Sequence, residues 1–174
     1  MAIALTRTAV AGAAVSAVLC GCMLAGCASL PKTPEEYRSQ AISGGDVENI
    51  EVNRPFREVA ATFRDRASTC LQDLVTTTIT GPVSRRMMTK WFYHPTVLVT
   101  DRKAELSVQM ATTQRPLFGD PPENGFYVIV AQAVPIDSRR TRVTVYGSSV
   151  FYDKLYAAVK GWATGAITAC PDMS

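Results

Sequence analysis

Apolar and polar positions follow two rhythms along this chain, and the changes of rhythm mark its elements. Thr33-Pro34-Glu35-Glu36 has the form of a helix start, with Thr33 as cap, Pro34 at the first helical position and Glu36 three residues after the cap. A short helix through Ala41 is expected there, ending before Gly44-Gly45 and either lying on the surface or moving freely. Val47 to Val52 reads as a strand. Phe56, Val59, Ala60, Phe63, Ala67, Cys70 and Leu71 then recur at three- and four-residue steps, while Arg57, Arg64, Asp65 and Arg66 fall on the other side. That period predicts an amphipathic helix, with Asn53 as its cap.

From Val75 to Val150 the period shortens to two. Candidate strands are Thr76 to Thr80, Met87 to Phe92, Thr96 to Thr100 and Ala104 to Thr112, with His94-Pro95 and Asp101-Arg102-Lys103 as turns. Arg115 to Gly125 carries three prolines and two glycines and reads as a loop. Phe126 to Ile136 and Arg142 to Val150 form a hairpin across Asp137-Ser138-Arg139-Arg140, and Val143 and Val145 alternate with Thr144 and Tyr146 as in a half-buried antiparallel sheet. A last helix carries the stripe Phe151, Leu155, Val159, Trp162, Ala166 and Cys170, with Pro171 as its stop. Small residues, Ala157, Gly161, Gly165 and Ala169, run beside that stripe and permit close approach to a neighbour.

Strand, helix, a run of strands and a final helix make an α+β domain. The expected form is an antiparallel sheet of about five to six strands with both helices on one face. This order resembles the helix-grip arrangement of lipid-binding domains and of a lipoprotein subunit of the outer-membrane barrel-assembly machine. Such a resemblance implies an apolar cavity between the sheet and the C-terminal helix.

The N-terminal stretch is of a different kind. A short start ends in Arg7, an uncharged run extends from Thr8 to Leu24, and Ala25 and Gly26 close it with small residues. These are the three parts of an export signal. The alternative is an uncleaved membrane helix, for which the run is about long enough but weakly hydrophobic. Leu24-Ala25-Gly26-Cys27 resembles the lipobox of bacterial lipoproteins, and Leu19-Cys20-Gly21-Cys22 is a poorer version of it. The resemblance implies cleavage before Cys27, a diacylglyceryl thioether on its sulfur and an amide-linked third chain such as palmitate. Each buried methylene contributes roughly 0.8 kcal/mol, so several chains anchor stably where one would not. Ala28 implies the periplasmic face of the outer membrane if sorting follows the enteric rule. The chain then divides into a signal peptide (1–26), a lipid-anchored tether (27–45) and a folded domain (46–174).

Composition changes this picture little. The chain has 174 residues, room for one domain, and its 47% apolar and 19% charged residues exclude wholesale disorder. Its formal charge is +3, from 18 basic and 15 acidic residues. Only Arg7 of these precedes Cys27, so the mature part carries +2, and nucleic acid is not expected as a partner. Of five cysteines, Cys20 and Cys22 leave with the signal and Cys27 is acylated. Cys70 and Cys170 remain, in an oxidising compartment if the chain is exported, and read as a disulfide or as two separate buried thiols.

No assembled chemistry emerges. His94 is the single histidine, either a base or a packed turn residue, and with no paired-Cys spacing neither a metal site nor a cofactor is expected. Ser29-Leu30-Pro31-Lys32 matches a Ser-x-x-Lys pattern by chance, two residues from the anchor and with a proline inside. Asp46 and Glu48 read as a solvated strand start. Arg85, Arg86 and Lys90, and Arg139, Arg140 and Arg142, either meet anionic headgroups or guard strand edges. Leu117 and Phe118, between prolines, either contact a partner or cover one end of the sheet. The expected function is a non-catalytic, lipid-anchored envelope component that docks on envelope proteins, and the alternative is a module for a lipid or other hydrophobic ligand.

Overall fold

The computed structural model describes residues 30–72, 74–81, 87–114, 120–166 and 169–173. In chain order the elements are α1 (Pro34–Gly44), β1 (Val47–Val52), α2 (Phe56–Arg66) with a π-helical turn at Ala67–Leu71, β2 (Val75–Thr80), β3 (Met87–Val99), β4 (Ala104–Thr112), β5 (Phe126–Pro135), β6 (Thr141–Tyr146) and α3 (Asp153–Thr164). The strands form one antiparallel six-stranded sheet in the order β1-β6-β5-β4-β3-β2. The protein is an α+β domain in which α2 and α3 share one face of the sheet.

Alternation decides which side chains meet those helices. Ala104, Leu106, Val108 and Met110 of β4 face inward beside Ile129, Ala131 and Ala133 of β5 and Val143 and Val145 of β6. Onto them pack Val59, Ala60 and Phe63 of α2, Leu71 of the π turn, and Leu155, Val159 and Trp162 of α3. Phe63, Leu71, Leu106, Leu155 and Trp162 are wholly buried, each contributing roughly 1.5–3 kcal/mol.

Several sequence expectations are corrected. His94-Pro95 is not a turn, because Met87 to Val99 is one strand that merges two expected ones. Tyr93 N–H donates to the Leu74 carbonyl, so Pro95, two residues on, turns its missing N–H toward the same side, past the end of β2. A proline is tolerated at such an edge. Asn53 does not cap α2; the helix starts after Pro55 with no side-chain cap. The last helix ends at Thr164, before left-handed Gly165, so Cys170 lies beyond it and Pro171 is not its stop.

The opposite face of the sheet is also partly covered. Helix α1 extends to Gly44, further than expected, with Thr33 Oγ1 accepting from Glu36 N–H at 3.2 Å as the capping pattern requires. It neither stands apart nor swings freely. Tyr37 Oη donates to the Val128 carbonyl at 2.8 Å. Arg38 Nη1 lies 2.6 Å from Oε2 of Glu105, a carboxylate only 4% exposed that also accepts from Gln132 Nε2 at 2.7 Å and meets Lys103 Nζ at 3.3 Å. Removing a partner from a buried charge costs more than the pair contributes. This carboxylate therefore fixes α1 in place.

Two further links close the fold. Cys70 and Cys170 are joined as a disulfide across 100 residues of sequence. Arg54 reaches the C-terminus of α3, where its Nη1 donates to the carbonyls of Trp162 at 2.9 Å and Ala163 at 3.1 Å while its Nη2 meets Thr62 Oγ1 at 3.1 Å. A cation there satisfies carbonyls that the helix cannot bond itself and complements its dipole.

Arg54→Ala is expected to lower stability by about 1–3 kcal/mol in urea unfolding, because it leaves the α3 carbonyls without donors. The Cys70→Ser/Cys170→Ser variant should lose roughly 4–5 kcal/mol at most in the chain-entropy model, read as a shift in unfolding midpoint.

Candidate functional site

Helices α2 and α3 do not cover the whole inner face. Where the sheet continues into β3 and β2, the start of α3 leaves a cleft of about 440 Å³. Its floor is Thr76 and Thr78 of β2, Trp91 and Tyr93 of β3 and Met110 of β4. Its walls are Tyr152 and Leu155 at the start of α3 and Met173 near the end of the chain. Register explains the floor: Thr76 pairs with Trp91 and Tyr93 with Met110, so these side chains rise on one face. The Trp91 indole is held by Nε1 donating to Thr78 Oγ1 at 3.3 Å. Met173 reaches the cleft because the disulfide brings Cys170 back to the end of α2.

Phe151 stands at the rim, 82% exposed, with exposed Val150 beside it. The sequence stripe puts Phe151 on the buried side of the last helix, but the helix begins only at Asp153. Ser148 Oγ accepts from the backbone N–H groups of Val150 and Phe151, each at 3.3 Å, and turns the chain before the helix forms.

The lining is aromatic and hydroxylated, and it can offer apolar contact with a few hydrogen bonds. Burial raises the phenols of Tyr93 and Tyr152, with the neighbouring Tyr93 adding to the effect on Tyr152. Tyr156, one turn into α3, is pushed up to about 12 by burial and by Glu48, whose Oε2 accepts from its hydroxyl at 3.3 Å. Asp153 and Lys154, in the first turn of α3, also line the cleft and give it one charged edge. His94 pairs with Gln109, one position from inward Tyr93, and therefore lies on the other face of the sheet.

The remaining candidates are scattered. Glu48 is not a solvated strand start; it faces α3, 2.5 Å from Lys160 Nζ. Arg140 pairs with Asp137 and Arg142 with Glu51, so two cations of that cluster are matched by acids. Cys27, Leu117, Phe118, Arg85, Arg86 and Ser29 lie outside the described residues. Among the described residues no group of three His, Cys, Asp or Glu side chains is placed to hold a metal ion. None of the described helices is long and apolar enough to cross a membrane. A cavity between the sheet and the C-terminal helix is expected from the sequence; its floor residues are not, since they come from three strands whose register no local pattern reveals.

No protein-family model matches the chain, and no curated protein matches it. Among solved structures it is similar to a conserved protein from Geobacillus kaustophilus at 16% identity and a TM-score of 0.32, over 70% of this chain and 91% of that one.

A spectrophotometric pH titration should show Tyr93 and Tyr152 ionising above the ordinary tyrosine value of about 10, and Tyr156 near 12. The unfolded chain releases these protons first, so their contribution to stability is complete below pH about 10 and is lost as pH rises through the folded values. Unfolding midpoints measured from neutral to alkaline pH should fall across that window, and a flat profile would contradict this burial.

Proposed function

We propose that the protein is a lipid-anchored, non-catalytic component of the cell envelope that docks on other envelope proteins. The observation that carries this reading is Leu24-Ala25-Gly26-Cys27, which resembles a lipobox and closes an uncharged run behind Arg7. The Cys70–Cys170 disulfide supports it, because such bonds persist in oxidising compartments. An open cleft with Trp91 and Tyr93 on its floor, Tyr152 in its wall and Phe151 exposed at its rim suits contact with an apolar element of a partner.

A second reading is favoured by the cleft itself. Its aromatic and aliphatic lining suits a lipid chain or another hydrophobic ligand lying between β3 and α3. The two readings separate on what accompanies the protein when it is extracted under mild conditions. Crosslinked envelope proteins lost on Phe151→Ala support docking, whereas a stoichiometric small apolar ligand with no protein partner supports the second.

Cys27→Ala should abolish incorporation of labelled palmitate and move the protein out of the membrane fraction. Retention of both label and membrane association in this variant would count against the anchor.

A further inference from the structure

Four exposed apolar residues, Val75, Ile79, Met88 and Leu98, share the outer face of the sheet, whereas Val150 and Phe151 stand at the cleft rim. Alternation from inward Trp91 and Tyr93 sends Met88, Lys90, Phe92, His94, Thr96 and Leu98 of β3 to the outer face, and pairing sends Val75, Thr77 and Ile79 of β2 there too. Ile79 pairs with Met88 and Val75 with Phe92, two apolar pairs that flank the Thr77–Lys90 pair, and Leu98 lies further along the same face. Ile79 is 61% exposed, Met88 60%, Leu98 61% and Val75 46%. No carboxylate occurs among these outward residues of β2 and β3, and Lys90 lies within the row; the turn beyond its end carries Asp101 beside Arg102 and Lys103.

The start of α1 lies beside this row. Leu98 pairs with Glu105, the carboxylate that holds Arg38, so the first turns of α1 are fixed next to the Leu98 end. Cys27 and Thr33 are six residues apart in sequence, a span of roughly 20 Å at full extension. Acyl chains on Cys27 would thus hold this end of the domain within about that distance of the bilayer. Helix α1 packs on β5 and β6 and leaves the row open, with Val75, Ile79, Met88 and Leu98 exposed.

We propose that the outer face of β2 and β3 is the surface by which the anchored protein rests on its own membrane. This rests on the lipid-anchored reading. Val75, Ile79, Met88 and Leu98 meet the boundary between headgroups and acyl chains, and Lys90, within the row, meets headgroup phosphates. The domain then lies on its side, with the cleft on the opposite face turned toward the periplasm.

The test uses the full lipidated protein in vesicles of phosphatidylethanolamine and phosphatidylglycerol with brominated acyl chains. Ile79→Trp and Leu98→Trp are compared with Phe151→Trp, which places the reporter on the cleft side, after subtraction of the native Trp91 and Trp162 emission. The Ile79→Trp and Leu98→Trp signals should be blue-shifted and roughly halved by the brominated lipid, with the Phe151→Trp signal unchanged. Equal quenching at all three positions, quenching at Phe151→Trp alone, or none at all would overturn the proposal. Failure of the anchor itself is read separately, as protein that carries no acyl mass and does not float with the vesicles.

Discussion

A sheet has two faces, and this chain supplies two strongly amphipathic helices that both bury against the same one. Val59 and Phe63 of α2, with Leu155, Val159 and Trp162 of α3, converge on the inward residues of β4, β5 and β6. The other features follow from how two helices share one six-stranded surface. The helices and the π turn reach as far as part of β3, where Tyr93 joins the core, and leave β2 and the adjoining part of β3 uncovered. The inner side of those two strands becomes the floor of the cleft, and their outer side becomes the exposed apolar row.

The chain ties its ends to this arrangement by means that are not hydrophobic. Glu105 is buried in the outer face with Arg38, Lys103 and Gln132 around one oxygen, which makes α1 a fixed part of the domain. At the other end the disulfide returns Cys170 to the end of α2 and lays Met173 against the cleft. Arg54 closes the same region by donating to the last carbonyls of α3. A buried ion pair, a covalent bond and a cap thus decide where α1 and the cleft stand relative to each other.

The elements were largely legible in the sequence, because helix and strand periods are local. β1 and β4 fall where alternation puts them, and the α+β class follows from element order. What failed did so for tertiary reasons. His94-Pro95 reads as a turn only if the edge beside Pro95 is assumed to be paired, and here β2 has already ended. Phe151 continues a helical stripe on paper, while Ser148 turns the backbone and delays the helix to Asp153. Glu48 and Glu105 look like surface acids until α3 and α1 bring Lys160 and Arg38 to them. A cavity between sheet and last helix is foreseen, but its lining is not, because those residues come from three strands, a helix start and the segment around Met173.

The central claim is that the domain works while held at a bilayer by its own N-terminal cysteine. Intact-mass and N-terminal peptide analysis of the protein extracted from membranes tests it most directly. The account predicts a chain beginning at residue 27 with acyl mass on that cysteine and the Cys70–Cys170 bond oxidised. A chain that keeps residues 1–26, or a mature form with an unmodified thiol at residue 27, would contradict it.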